Sequence, residues 1–226
     1  MENGFNCSSL DIFLLGSLEY EEALELQENL FEKRLNDKVN DTLLILEHPS
    51  VITIGRGGSA NNVIASQEEL EKRKIKIIET NRGGDVTYHG PGQIVGYYIA
   101  DLSLQERDIK IFVWKMENFI INLLRDNFNI IAERKDQLRG VWIGNSKIAA
   151  MGFYVKRWIT MHGFALNVNI DLDGFDLIVP CGIKDKSVTS LNKIIGEEVN
   201  FSDIRNLVIK YFSKEFKYEK VNFGMF

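Results

Sequence analysis

The segment from Arg82 to Gln93 has the sequence RGGDVTYHGPGQ and is the densest group of chemically capable residues in the chain. Its four glycines allow sharp turns and let a ligand approach main-chain N–H groups closely. Arginine, threonine, tyrosine, histidine and glutamine accompany them, although a plain hairpin requires none of these side chains. The segment matches neither the dinucleotide-binding nor the phosphate-loop glycine pattern. We predict a ligand-binding loop, with a hairpin turn as the alternative.

Two other segments offer groups for nucleophilic chemistry. Cys181 lies between Pro180 and Gly182 after an apolar run, a context that could present a thiol at a turn. An isolated free cysteine is more often a small buried hydrophobe, so this context leaves both interpretations open. Lys147 precedes a run rich in alanine and glycine that would leave room for an acyl chain, whereas most lysines are simply exposed.

The histidines of the chain are His48, His89 and His162. They are 41 and 73 positions apart, which matches no metal-ligand spacing, and no cysteine or acidic cluster accompanies them. We therefore predict structural or hydrogen-bonding roles for these residues and no metal site.

The composition is that of a globular protein. Of 226 residues, 45% are hydrophobic and 26% are charged, which excludes a disordered or collagen-like chain. No apolar run approaches the ~20 residues that cross a bilayer, and the N-terminus does not resemble a signal peptide. A net charge of −5 argues against nucleic-acid binding, and two distant cysteines indicate a reducing compartment. We predict a cytoplasmic protein.

Basic residues are concentrated between Arg134 and Arg157, where six lysines and arginines accompany one acid, Asp136. Such a stretch usually forms solvated strand and loop faces. The alternative is a docking patch for an acidic partner.

The spacing of apolar residues predicts five helices. They are Glu19–Lys38, Ser66–Arg73, Ile109–Phe128, Ser187–Ile195 and Ser202–Phe216. The buried stripe of the longest is predicted to begin at Ile109 and to end at Leu124.

Short apolar or alternating runs predict the strands. Six are Asp11–Leu15, Thr42–Glu47, Val51–Ile54, Ile75–Glu79, Asp85–Tyr88 and Gln93–Ala100. Four later runs suggest an antiparallel meander: Ile130–Ala132, Leu138–Ile143, Ile148–Val155 and Trp158–Val168. Because strands come in runs and helices are segregated, we predict an α+β fold with a mixed sheet, in a single domain over residues 1–226.

Four blocks of the chain resemble, in the same order, the lipoyl(octanoyl) transferases of lipoate biosynthesis. The blocks are Glu47-His48-Pro49 through Gly55-Arg56, the segment 82–93, Lys147–Gly152 with His162–Asn167, and Pro180-Cys181-Gly182. They lie between about residues 42 and 192, roughly two-thirds of the chain. The second block is specific to the family.

This resemblance implies a fold shared with biotin ligases and lipoate–protein ligases, a mixed or antiparallel β-sheet flanked by helices. It implies that Cys181 is the catalytic nucleophile that carries the acyl group as a thioester, and that Lys147 is the catalytic cation that favours its thiolate. Asp85 departs from the family pattern, in which glutamine or lysine is commoner. The residues that match the family's acyl-substrate contacts are Arg82, Gly83, Gly84, Asp85, Val86, Thr87, Tyr88, His89, Ala150, Met151, Gly152, Gly163, Phe164 and Ala165.

The reaction implied by the resemblance moves an octanoyl group from octanoyl-acyl carrier protein to a lysine of lipoyl domains. The acceptors would be those of 2-oxoacid dehydrogenases and the glycine cleavage H protein. A thioester becomes an amide, so no ATP, cofactor or metal is implied, and we expect no nucleic-acid or membrane partner. Three alternatives stay open: an ATP-dependent lipoate–protein ligase, a Cys–His thioester hydrolase using His89 or His162, and a non-catalytic acyl-binding protein.

Overall fold

The computed structural model describes residues 9–179 and 187–224. Within these ranges the strands are β1 Ser9–Ser17, β2 Asp41–Glu47, β3 Val51–Ile54, β4 Lys76–Glu79, β5 Val86–His89, β6 Gln93–Ile99, β7 Glu133–Lys135, β8 Leu138–Ile143, β9 Ser146–Lys156, β10 Ile159–Asn167, β11 Ser187–Val188 and β12 Lys220–Gly224. The helices are α1 Tyr20–Leu35, α2 Gln67–Lys72, α3 Ile109–Phe128, α4 Leu191–Ile195 and α5 Phe201–Glu215. Short 3₁₀ turns cover Ala60–Asn62, Leu102–Leu104 and Leu172–Leu177.

The strands form one large and one small sheet. The large sheet has the order β12-β1-β2-β6-β10-β9-β8-β7, and β11 pairs with β9. β1 is parallel to β12 and β2, and from β2 to β7 every neighbouring pair is antiparallel. The small sheet has the order β4-β3-β5. The predicted α+β class and the antiparallel meander from β7 to β10 are confirmed.

Strand β2 illustrates how the large sheet divides the core. Leu43 and Ile45 are buried against α3 and α5 on one face. Leu44 and Leu46 are buried against α1 on the other face. Because side chains alternate along a strand, a strand covered on both faces is apolar throughout. Within β2 the residues 43–46 form such a continuous apolar run.

Helix α3 has the predicted bounds because its ends are marked locally. Asp108 caps its N-terminus by accepting from the amides of Lys110 and Ile111, and Asn129 ends it in the left-handed conformation with φ 54. The prediction that Ile109 is buried is wrong, since this side chain is 39% exposed. Side chains tilt toward the N-terminus of a helix, so the first residue extends beyond the packed turns.

The hairpin alternative for the segment from Arg82 to Gln93 is wrong. Strand β5 pairs with β3 in the small sheet, whereas β6 pairs with β2 and β10 in the large sheet. The intervening glycines therefore carry the chain from one sheet to the other. Gly92 has φ +84, and a Cβ there would lie 2.6 Å from the main-chain carbon of Asn169. This close crossing requires glycine.

Three smaller differences concern strand positions. The run 130–132 is not a strand, and β7 begins at Glu133 instead. Ser187–Val188 pairs with β9 as a strand, so the predicted helix is confined to Leu191–Ile195. The pairing of Lys220–Gly224 with β1 joins residues more than two hundred positions apart and has no local signal.

None of the helices within the described ranges combines the length and apolar character that a membrane span requires.

Candidate active site

A cavity of about 430 Å³ lies where the small sheet meets the large sheet. Strands β6, β9 and β10 line one side, and β5 with the loop before it lines another. Glycine and alanine occupy facing positions here: Gly152 pairs with Gly163, and Ala150 pairs with Ala165. Their small side chains leave room for an extended aliphatic chain. The volume falls within the range of small-molecule sites, about 300–1,000 Å³.

The buried side chain of Arg82 anchors the loop before β5 to strand β3. Its Nη2 donates to the Thr53 carbonyl and to Thr53 Oγ1, both at 2.8 Å, and its Nη1 donates to the Gly83 carbonyl at 3.2 Å. The Gly83 amide donates to the Phe153 carbonyl at 2.8 Å, which ties the loop to β9. A Cβ at Gly152 would lie 2.6 Å from the Gly83 oxygen, so this close approach requires glycine.

Asp85 connects the same loop to the 3₁₀ turn that ends at Asn62. Its two carboxylate oxygens each accept from Asn62 Nδ2 at 2.9 Å, and Oδ1 also accepts from the Val86 amide at 2.7 Å. The side chain borders the cavity. Although Asp85 departs from the family pattern, it has a defined structural part here: it holds the loop in place.

A chain of hydrogen bonds runs along the cavity wall. His89 Nδ1 donates to Gln93 Oε1 at 2.7 Å, and Gln93 Nε2 donates to Asn167 Oδ1 at 2.9 Å. Asn167 Nδ2 donates in turn to the Thr189 carbonyl at 2.9 Å. The chain fixes the tautomer of His89 and leaves its Nε2 as an acceptor.

His162 has a strained backbone in the middle of β10. Its φ is 63 and its side chain is 1% exposed. Its amide donates to Gln27 Oε1 at 3.0 Å and its Nε2 donates to Asn81 Oδ1 at 2.6 Å, while Nδ1 has no hydrogen-bond partner among the described residues. A left-handed non-glycine residue costs about 1–3 kcal/mol, and such residues cluster at functional sites.

The histidines are all buried and neutral at pH 7. Burial lowers the pKa of His48 to about 4, and it lowers the pKa values of His89 and His162 to about 3. At His162 the nearby Arg82 guanidinium adds to this effect. His48 Nε2 lies 2.7 Å from the hydroxyl of Tyr97. Within residues 9–179 and 187–224, no three His, Cys, Asp or Glu side chains gather as metal ligands would.

Lys147 lies in the cavity wall on β9, opposite Trp142 of β8. Its Nζ is 4.9 Å from the centre of the Trp142 ring. Strand β11 runs parallel beside it: Val188 pairs with Lys147, and the Thr189 amide donates to the Lys147 carbonyl at 2.9 Å. Val188 lines the cavity as well.

Cys181, with Pro180 and Gly182, lies outside the described residues, so its proximity to Lys147 stays a prediction. The described residues on either side of 180–186 lie beside the site. The Val179 amide donates to the carbonyl of Asn62, the residue that holds Asp85, at 2.7 Å. On the other side, Val188 lines the cavity.

All of the predicted contact residues except Gly83 and Tyr88 line the cavity. Tyr88 does not line the cavity, and its hydroxyl lies 2.9 Å from Ser50 Oγ. The lining residues that the sequence analysis does not predict are Tyr20, Gln93, Val95, Tyr97, Gln137, Leu138, Arg139, His162, Asn167, Phe175 and Val188. Only Gln93, His162 and Asn167 have a local signal, because they lie within the recognised blocks.

Comparison with known proteins agrees with this geometry. The family model of the lipoyl protein ligase A/B catalytic domain matches residues 19–213. The octanoyltransferase of Caldicellulosiruptor bescii is 53% identical over 208 residues, which cover 92% of this chain and 91% of that protein. Among solved structures, the bipartite lipoate protein ligase from Thermoplasma acidophilum has a TM-score of 0.75 at 18% identity, covering 97% of this chain and 87% of that one. Biotin protein ligase from Aquifex aeolicus has a TM-score of 0.53 at 15% identity, covering 92% and 69%. At these identities the two structures bear on the fold alone.

Proposed function

The chain belongs to the family of the lipoyl protein ligase A/B catalytic domain, among its octanoyltransferases; it is an acyltransferase of lipoate biosynthesis, and we propose that it works through an octanoyl thioester on Cys181. The observation that carries this proposal is the position of Lys147 in the cavity wall, beside the strand that follows the segment containing Cys181. An ammonium group at this position would favour a neighbouring thiolate, which is the effective nucleophile.

We propose that the cavity holds the octanoyl chain. Ala150, Gly152, Gly163 and Ala165 supply a narrow apolar surface along β9 and β10. Burying the seven methyl and methylene groups beyond the carbonyl at about 0.8 kcal/mol each would contribute about 6 kcal/mol to binding. The loop before β5, held by Arg82 and Asp85, would cover the chain from the other side.

The proposed reaction has two steps. The Cys181 thiolate attacks the donor thioester carbonyl, and the carrier sulfur leaves as a thiolate that takes a proton from the Lys147 ammonium, so that an octanoyl-enzyme thioester and a neutral Lys147 amine form. The ε-amine of the acceptor lysine then attacks this thioester, Lys147 takes the proton of the amine, and the Cys181 thiolate leaves as the amide forms. A thioester is exchanged for an amide, so the proposed sequence requires no ATP.

We propose octanoyl-acyl carrier protein as donor and lipoyl domains as acceptors, in the cytoplasm, and a single catalytic domain.

We revise the predicted basic docking patch, because two of its residues already pair with acidic side chains. Arg134 is half-buried and already paired, with Nε 3.2 Å from Glu117 Oε2 and the guanidinium 4.7 Å from the centre of the Trp114 ring. Lys135 Nζ lies 3.4 Å from Glu133 Oε1. Arg139 is exposed and lines the cavity, so we place the contact with an acidic carrier there.

Incubation with octanoyl-acyl carrier protein in the absence of ATP tests the proposal. Intact-protein and peptide mass spectrometry are expected to find one octanoyl group on Cys181, and addition of a lipoyl domain is expected to transfer it. Cys181→Ser abolishes the adduct, whereas Cys7→Ser retains it as the matched cysteine control. A requirement for ATP would instead identify a ligase, and an intact acyl carrier with no adduct would indicate a binding protein.

Hydrolysis by a Cys–His pair is disfavoured by the histidines themselves. Burial lowers the pKa of His89 and of His162 to about 3, so neither imidazole is a competent base at pH 7. Release of free octanoate without amide product would overturn this conclusion.

Asp85→Ala is expected to raise the KM for the octanoyl donor about ten-fold with little change in kcat, because the loop before β5 loses three hydrogen bonds to a carboxylate. Asp85→Asn keeps an acceptor oxygen and should have a smaller effect. Steady-state kinetics with thermal unfolding as a check on folding measure both. An unchanged KM in a folded Asp85→Ala protein would contradict the role assigned to this residue.

A further inference from the structure

Trp142 forms the surface on which the Lys147 ammonium lies. The Lys147 Nζ is 4.9 Å from the centre of the Trp142 ring, within the distance of a cation–π interaction. The ring itself is held firmly: it is 2% exposed, and its indole N–H donates to the Leu138 carbonyl at 3.2 Å. A buried, hydrogen-bonded tryptophan is therefore available as a rigid platform for the lysine.

Two local irregularities create this arrangement. The register of β8 and β9 shifts between Val141 and Trp142, so that Val141 faces Ala149 but Trp142 faces Lys147. Without the shift, Trp142 would face Ile148, a fully buried residue of the core. A bulge is a common device for redirecting a side chain at an active site.

The second irregularity is Gly140. Its φ is +121, and a Cβ at this position would lie 2.5 Å from the Ala149 carbonyl oxygen and 3.4 Å from both Cδ and Cε of Lys147. The missing side chain leaves a channel for the lysine stem beside the ring. Gly140 and the register shift thus cooperate in directing Lys147 toward the cavity.

We propose that Trp142 is a positioning residue for the reaction: its ring face holds the Lys147 ammonium in place and stabilises its charge. The proposal rests on the proposed function, in which Lys147 serves the Cys181 thiolate. The attraction is electrostatic, because the face of an aromatic ring carries the negative end of its quadrupole. Lys135 Nζ approaches the same ring at 5.9 Å, but it is paired with Glu133 at 3.4 Å.

The pH dependence of thiol alkylation tests this role. In Trp142→Leu, alkylation of Cys181 by iodoacetamide at pH 7 is expected to slow about ten-fold and its pH profile to move about one unit higher. The kcat of octanoyl transfer should fall in parallel, while the KM for the donor changes less than two-fold. Trp142→Phe keeps a weaker ring face and should lie between Trp142→Leu and the parent protein.

Trp114→Leu is the matched control, because Trp114 also carries a cation on its ring, Arg134 at 4.7 Å, but does not line the cavity. Its alkylation profile should equal that of the parent protein. If Trp142→Leu does not fold, the parent chain with fluorinated tryptophans replaces it. Fluorination weakens the ring quadrupole with little change of shape, and its effect should disappear in a Trp142→Phe background.

A double-mutant cycle separates the two proposals. In a Lys147→Met background, Trp142→Leu should have no further effect on the alkylation profile. If Lys147→Met lowers reactivity but folded Trp142→Leu and the fluorinated protein keep the parent profile, the role of Trp142 is refuted while the proposed function stands. If Lys147→Met itself keeps the parent profile and full transfer activity, the proposed mechanism is refuted, because it requires the Lys147 amine.

Discussion

Replacing Lys147 with methionine is expected to lower the kcat of octanoyl transfer about a thousand-fold, because the proposed mechanism then loses both the charge beside the nucleophile and the group that takes the proton of the acceptor amine. Methionine matches the length of the lysine stem and can lie in the space beside Gly140 and Trp142. Folding should therefore be retained. Lys220→Met, at an exposed position on the edge strand β12, which four strands separate from β9, is the matched control and should keep full activity.

Lys147→Arg separates the two roles of the lysine. A guanidinium keeps its charge and cannot be deprotonated in a protein, so it can favour the thiolate but cannot take a proton. The octanoyl adduct on Cys181 should therefore still form, whereas its transfer to a lipoyl domain should be slow. Rapid-quench measurement of each half-reaction provides the test. Full transfer activity in Lys147→Arg would refute a proton-accepting role, and full activity in Lys147→Met would refute any role for the side chain.

Mildly acidic pH is expected to destabilise the protein, because protonation of its buried histidines favours the unfolded state. In the unfolded chain a histidine has a pKa of about 6.5 and is protonated at pH 5. In the folded protein burial lowers the pKa of His48 to about 4 and the pKa values of His89 and His162 to about 3, so all of them stay neutral at pH 5. The unfolded state therefore binds more protons, and the free energy of unfolding falls as the pH drops below about 6.5.

The expected loss of unfolding free energy is large because protonation of each of the three histidines favours the unfolded state. From pH 7.5 to pH 5 each histidine contributes about 2 kcal/mol, or about 6 kcal/mol together. This is comparable with the total stability of many domains, about 5–15 kcal/mol. Urea unfolding at pH 7.5, 6.5, 5.8 and 5 measures the slope of the unfolding free energy against pH. His48→Gln should reduce the slope by about one third, since one of three titrating groups is removed; a slope below one proton in the parent protein would contradict the prediction.

Local sequence signals suffice for the elements whose boundaries are set by neighbouring residues. Helix spacing involves positions three and four apart, and caps act over three residues, so the bounds of α3 follow from Asp108 to Asn129 alone. The meander from β8 to β10 is equally local, because each strand pairs with the next. In contrast, β5 and β6 look like two arms of a hairpin, and only their pairing with distant strands places them in different sheets.

The candidate site likewise combines features that local sequence determines with features that only long-range contacts determine. The sequence by itself determines the residue types that the proposed chemistry needs: a thiol at Cys181, an amine at Lys147, a glycine-rich loop from Arg82, and small residues on β9 and β10. These residues are separated along the chain, and no local pattern gives their distances. The tertiary structure alone decided that the loop lies against Gly152 and that Tyr20 and Tyr97 line the cavity. It also decided that a one-residue register shift turns Lys147 onto Trp142. The physical reason is that strand pairing and side-chain packing join residues far apart in sequence, and their energies depend on a geometry that exists only once the sheets have formed.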